Sequence, residues 1–316
     1  MRVSTLGIYN RYLSNVIKHE NRIEKYTQQL SSGKKILLPS DAPVDNDRAL
    51  KLKSLNKEIE GYLKNIKIVR NTQNIAEQSL TNITDTAVEA RAEIVRLLNT
   101  GVIDEEDANI IDEYLQSLKN YIIGQANVKI GNSSLFAGTD TKVTPFNSDG
   151  TYNGSNEETT VPIAKNLELN INFDGEKNLG VFEITDKDTN TTTKKMAIVA
   201  AIDKISEIIQ SGDLSQLNQP KFEINGKDYT VLDLFDLGHT KILESRSILG
   251  SQEKALDDLK EQHDNMAVNF SELTSKLEDS EFSEVVIELE KAKTTYEATL
   301  ASFIQNKDLS LLNYFK

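Results

Sequence analysis

Leu52-Lys-Ser-Leu-Asn-Lys-Glu-Ile59 opens a stretch, running on to Leu97, whose spacing decides the fold. Steps of three and four residues alternate through Leu52, Leu55, Ile59, Tyr62, Ile66, Val69, Gln73, Ala76, Leu80, Ile83, Ala87, Ala90, Ile94 and Leu97. Thirteen of these fourteen positions are apolar, and only Gln73 breaks the stripe. A 3.5-residue repeat keeps one seam of a helix against a partner, the requirement of a coiled coil. At 1.5 Å per residue the stretch predicts a helical rod of roughly 70 Å, longer than a compact enzyme usually holds. A polar residue on such a seam either sets register or sits partly in solvent, and partial exposure is the expectation for Gln73.

Three further segments share the period. Upstream, Leu6, Tyr9, Leu13, Val16, Ile23 and Leu30 fall on one stripe, interrupted by Glu20 and Thr27. Downstream, a helix is predicted from about Asp104 to Lys129, with Ile111, Leu115, Leu118 and Ile122 inward and an acidic first turn at its positive dipole end. Late in the chain Leu249, Leu256, Leu259, Met266, Phe270, Leu273 and Leu277 share a register in which His263 occupies a seam position. No second ligand lies within a turn of His263, so it reads as a seam residue rather than a metal ligand. After Glu278-Asp-Ser280 the register slips to a new stripe of Phe282, Val285, Leu289, Ala292, Tyr296 and Phe303.

The middle differs. Gly138–Lys195 holds eleven threonines, and Leu167–Phe173 and Gly180–Ile184 alternate as antiparallel strands do. A short helix at Ala197–Gln210 and a hairpin over Lys221–Val231 complete it. The fold class expected is therefore mainly α with an inserted β-rich domain: a rod of long antiparallel helices with an α+β outer domain. The boundaries expected are 1–40 for an N-terminal assembly segment, 41–138 and 232–280 for the rod, 139–231 for the outer domain and 281–316 for a C-terminal assembly segment. Both termini are then expected at one end of the rod.

Composition narrows function. The chain of 316 residues has no cysteine, no tryptophan and three histidines, His19, His239 and His263. Thiolate metal sites and cysteine nucleophiles are excluded, and histidine catalysis nearly so. The net charge of −13 argues against nucleic acid or an anionic membrane as principal partner. It divides into +5 over 1–40, −16 over 41–280 and −2 over 281–316. The longest wholly apolar run, Ala197–Ile202, falls far short of the ~20 residues of a membrane span. No signal peptide is visible, which by itself reads as cytoplasmic.

Chemical motifs fail. Gly33-Lys34 and Gly226-Lys227 lack the remainder of a phosphate loop. Asp186-x-Asp188-x-Asn190 mimics the first calcium ligands of an EF-hand, but Thr191 stands where glycine is needed and Ala197 where glutamate is needed. No catalytic, cofactor or metal site is expected, and the chain does not read as an enzyme.

Identity lies at the ends. Leu30-Ser-Ser-Gly-Lys-Lys-Ile36 followed by Pro39-Ser-Asp-Ala-Pro43, and then Asn74-Ile-Ala-Glu-Gln-Ser-Leu80, resemble N-terminal signatures of the bacterial flagellin family. Gly131–Thr141 with Pro145-Phe146, Leu277-Glu-Asp-Ser-Glu-Phe-Ser-Glu284 and the ending Leu309–Phe315 are similar to those members that join the hook to the filament. The resemblance covers about 1–146 and 232–316. Leu37-Leu38 and the terminal Lys316 depart from the family's usual pattern.

The resemblance implies long helices with paired termini and a variable domain looped out between them. It implies a structural subunit exported unfolded through the flagellum's own type III channel, hence an extracellular place in the flagellum without a cleaved signal. Expected partners are a hook-associated protein on the hook side, flagellin on the filament side, copies of itself and an export chaperone, with no nucleic acid and no membrane. Assembly contacts are expected from Leu6, Tyr9, Leu13, Val16, Ile23, Leu30, Phe282, Val285, Leu289, Tyr296, Phe303, Leu311, Leu312, Tyr314 and Phe315. The rod seam is expected from Leu52, Leu55, Ile59, Ile66, Val69, Leu80, Ile83, Ile94 and Leu97. A filament flagellin, a cytoplasmic coiled-coil adaptor and a cell-wall hydrolase on a flagellin-like scaffold are the competing readings.

Overall fold

A computed structural model describes residues 5–99 and 105–312. Long helices dominate: α1 (Thr5–Ser32), α2 (Pro43–Asn99), α3 (Glu105–Ala126), α6 (Val231–Glu278) and α7 (Phe282–Leu312). Between α3 and α6 lie the short pairs β1 (Lys129–Ile130) with β2 (Ser133–Ser134) and β3 (Thr160–Ala164) with β4 (Leu167–Asn170). The short helix α4 (Gly175–Asn178) follows, and then β5 (Val181–Asp186), β6 (Thr191–Met196), α5 (Ala197–Ser211), a 3-10 turn (Leu214–Asn218), β7 (Phe222–Ile224) and β8 (Lys227–Tyr229). The last four strands form one antiparallel sheet in the order β6-β5-β7-β8.

The chain divides into two compact units, residues 1–60 with 265–316 and residues 61–264. In the second unit the seam of α2 is buried at Ile66, Val69, Ala76, Leu80, Ile83, Ala87, Ala90, Ile94 and Leu97. Its partner is α6, running antiparallel. Tyr62 stacks on His263 with ring centroids 5.5 Å apart, Gln73 meets Gln252, Arg246 reaches Glu77 at 2.9 Å, and Arg91 grips Asp236 through two hydrogen bonds of 2.7 and 2.9 Å. Partners retreat along α6 as they advance along α2. The start of α6 is set by a reciprocal cap: the Asp233 amide donates to Thr230 Oγ1 at 3.1 Å, and Thr230 N–H donates to the Asp233 carboxylate at 3.3 Å.

Gln73 departs from expectation. It is 3% exposed, and its Nε2 donates to Gln252 Oε1 at 2.8 Å. Burying an amide without a hydrogen bond is costly, and the matching glutamine on the partner seam removes much of that cost.

The middle packs onto the long helices of its unit. One continuous apolar core takes in the α2 seam, Leu115 and Ile122 of α3, Phe136, Phe146, Phe173, α5 from Ala197 to Ile209, and Phe235 and Ile242 of α6. This core includes residues on both sides of 138/139 and of 231/232. The amphipathic α5 causes this: it buries Ile198, Ile202, Ile205 and Ile209 and covers α3. Gly238 on α6 permits close approach there, since a Cβ on it would stand 2.9 Å from that of Ala197. A smaller apolar cluster of Ile66, Val69, Leu256 and Ile163 seats the β3–β4 hairpin on the α2–α6 pair. Asn65 Nδ2 donates to Pro162 O at 2.7 Å, and His263 Nε2 lies 2.9 Å from Ile163 O.

The calcium-like loop holds ammonium groups instead. Lys204, 4% exposed, sits between Asp186, Asp188 and Glu207 at 2.8–2.9 Å, and Lys221 reaches Asp188 at 3.1 Å. Burial works to lower the Lys204 pKa, but the carboxylate hydrogen bonds outweigh it and hold the amine above its ordinary range. Among the described residues no cluster of potential metal ligands occurs, and no helix is long and apolar enough to cross a membrane.

Candidate assembly surfaces

The site is built in the first unit, where α1 and α7 lie antiparallel. Tyr9 and Tyr12, early in α1, both meet Phe303, late in α7, with ring centroids 5.5 and 5.6 Å apart. Such tilted aromatic pairs are favourable beyond the area they cover. From α7, Val285 and Ala292 are buried, and Leu289, Tyr296 and Phe303 are half-buried. From α1 the inward positions are Tyr12, Val16, His19, Ile23, Tyr26 and Leu30.

That register corrects the stripe read from the sequence. Val16, Ile23 and Leu30 belong to both, but the alternate positions are Tyr12, His19 and Tyr26 rather than Leu13, Glu20 and Thr27. The interruption at Glu20 and Thr27 disappears, because those residues face solvent. His19 and Tyr26 went unrecognised because each carries an apolar ring body with a polar tip. Tyr9 and Leu13 are about half exposed, at 50% and 47%, and Phe282 is 70% exposed. They are therefore open to a neighbouring chain. The side chains of Leu6, Leu311 and Leu312 lie outside the description, and Tyr314 and Phe315 lie outside the described residues.

Of the predicted rod seam, Ile59, Ile66, Val69, Leu80, Ile83, Ile94 and Leu97 are buried. Leu52 is half-buried and Leu55 is 45% exposed.

The two ends are tied where their signature motifs meet. Gly33, at φ +69°, adopts the left-handed conformation that ends α1, and its amide donates to Gln29 O at 2.9 Å. The chain then pairs with the end of α6: Lys35 N–H donates to Glu278 O at 2.6 Å, and Ser280 N–H donates to Gly33 O at 2.9 Å. Lys34 Nζ reaches Asp279 at 2.6 Å and Glu278 at 3.4 Å, while Lys53 reaches Glu278 at 2.5 Å. Gln29, buried, donates to Lys35 O at 2.7 Å. Thus Leu30–Ile36 and Leu277–Glu284, more than two hundred residues apart in sequence, form one knot. Pro39–Pro43 supports it, since Asp41 accepts from Lys25 at 2.8 Å and from the Leu37 and Leu38 amides, with Pro43 opening α2.

The knot's charges stabilise one another. The hydrogen bond from Lys34, aided by Ser275, holds the Asp279 carboxyl below its ordinary range, and Asp279 in turn raises Lys34. Lys25 chiefly lowers Asp41.

The paired ends thus carry two structural features, a helical zipper and the knot that closes it. Residues 3–141 match the bacterial flagellin N-terminal helical region. That N-terminal part of the chain is flagellin-like. The chain is 22% identical over 325 residues to flagellar hook-associated protein 3 of Escherichia coli, an alignment covering the whole of both chains. Its fold is that of solved FlgL structures. The Bacillus cereus protein superposes with a TM-score of 0.56 at 17% identity, covering 71% of this chain and 99% of that one. The flagellar junction protein FlgL of Legionella pneumophila gives 0.53 at 14% identity, covering 73% and 100%. The mainly α fold with long helices and small antiparallel sheets is shared with these flagellin-like structures.

Proposed function

We propose that the chain is the structural subunit that joins the flagellar hook to the filament and has no enzymatic role. The observation that carries the reading is the end-to-end likeness to a hook-associated protein 3, which spans the middle as well as the flagellin-type ends. The architecture supports it: amphipathic end helices leave Tyr9, Leu13, Ile17, Phe282 and Ile304 open to solvent in the single chain, as an assembling subunit requires.

In this reading residues 1–40 and 281–316 pass unfolded through the flagellar export channel and order on assembly, and an export chaperone masks the C-terminal segment beforehand. A hook-associated protein meets one side of the subunit layer, flagellin the other, and further copies lie within it. The protein's place is then outside the cell, in the flagellum. Immunogold labelling of intact flagella tests this. A band at the hook boundary is the expected result, whereas labelling along the whole filament would make the chain a filament flagellin.

A further inference from the structure

The sheet face that carries the calcium-like motif is not fully covered by α5. Thr191, Thr193 and Lys195 alternate along β6 and so share one side of the sheet, and the cross-strand partners Asp186 and Ile184 on β5 share it with them. Opposite, α5 presents Ala200, Asp203, Lys204 and Glu207, at i, i+3, i+4 and i+7 on one helical face. Between them lies a cleft of about 200 Å³. It reaches down to the buried Ile184, Ala200 and Phe222 and opens past the exposed Thr189, Thr193 and Glu207.

The walls of this cleft select against charge. At its base Lys204 pairs with Asp186 and Glu207 at 2.8 and 2.9 Å, Lys119 of α3 holds Asp203 at 2.7 Å, and Lys195 stands 3.6 Å from Asp149. An entering cation would meet Lys195 and Lys204, and an anion would meet Asp186, Asp203 and Glu207. What the paired carboxylates keep is acceptor capacity, since each offers about four lone-pair sites and its ammonium partner fills only part of them. The hydroxyls of Thr189 and Thr191 share a hydrogen bond of 2.7 Å, whereas that of Thr193 has no partner among the described residues. These groups are held by one another before any ligand arrives, so binding costs little ordering.

We propose that the cleft between α5 and the β5–β6 face binds a single ring of an uncharged sugar. Such a ring brings hydroxyls for Asp203, Glu207 and Thr193 and a C–H face for the apolar base at Ile184 and Phe222. The volume sets the size of the ligand, because pockets for drug-sized molecules run to about 300–1,000 Å³. The site belongs to the single chain and does not depend on the flagellar reading above. So small a contact binds weakly, with a dissociation constant of about 1 mM.

Saturation-transfer difference NMR on the purified full-length chain tests this. The probes are the common neutral hexoses, deoxyhexoses and N-acetylhexosamines, with inorganic phosphate and spermidine as charged competitors. Transfer to at least one sugar is expected, undiminished by either competitor. Thr193→Val and Glu207→Gln alter exposed side chains, so each variant should melt with the parent while transfer falls about fivefold, the value of one lost hydrogen bond. In amide spectra of the parent, sugar should move the signals of Thr191, Thr193 and Asp203, a readout that needs no variant. The assignment is overturned if no neutral sugar receives transfer, if phosphate or spermidine displaces the sugar, or if either variant keeps transfer in full. Amide shifts confined to other parts of the chain overturn it equally.

Discussion

Gln73 shows what a single residue contributes and why its role could not be read locally. The 3.5-residue repeat places it on the seam, yet its partner Gln252 is 179 residues away, and no local pattern marks that meeting. An amide pair on the seam, Gln73 buried and Gln252 half-buried, favours one alignment of α2 against α6, because a slip of either helix separates the two side chains. Gln73→Leu should therefore cost about 1 kcal/mol, since it removes the hydrogen bond to the half-buried Gln252. Gln73→Leu with Gln252→Leu should recover most of that loss or exceed the parent, because a matched apolar pair carries no stranded polar group. Urea unfolding of the two single variants and the double variant measures the coupling. Additive losses would mean the two residues do not act as a pair. The stripe of α1 teaches a related lesson: Tyr9 and Leu13 drew the sequence reading to one face, but the packed face takes in Tyr12, His19 and Tyr26.

At the scale of elements, the heptads of α2, the inward face of α3 and the stripe of α7 were legible because periodicity is a local property. The knot between the end of α1 and the end of α6 was visible only as two unconnected motifs, since nothing in either segment names the other. Its ionic character gives it a pH dependence of definite sign. Asp279 and Asp41 titrate below the ordinary 3.8, so they favour the folded knot above that value, and the contribution is lost as the pH falls through their depressed values. Lys34 titrates above 10.5, so its contribution holds through neutral pH and is lost only as the pH rises through that raised value. Amide exchange at Lys35 and Ser280, corrected for intrinsic rates, should lose protection as the medium is taken below about pH 4. Asp279→Asn should show weakened protection already at neutral pH and a shallower acid transition. Unchanged protection in that variant would remove the carboxylate from the account of the knot.

For the whole molecule, the two units differ in how they are held. The second unit has one core running through α2, α3, α5, α6 and the sheet, with Leu80, Ile83, Leu115, Ile202 and Phe235 all fully buried. The apolar run Ala197–Ile202 was visible in the sequence, but only packing shows that α5 closes over α3. In α1 and α7 the only buried positions among the described residues are Gln29, Val285 and Ala292, and none of them is fully enclosed. Apolar burial contributes about 25 cal/mol per Å², so a two-helix contact with so few enclosed side chains holds the end helices weakly against the entropy of releasing them. Helices in proteins draw most of their stability from the packing of an amphipathic face, and segments of low local stability open independently of the core. Hydrogen exchange on the purified chain should therefore show 5–32 and 282–312 exchanging orders of magnitude faster than 80–97 and 111–123. On the proposed function further copies cover Tyr9, Leu13, Ile17 and Ile304 in the flagellum, and the same segments should then slow towards the core rate. Equal protection of ends and core in the free chain would mean that the paired helices are complete without neighbours, and folding on assembly would then be the wrong account of how the subunit locks into place.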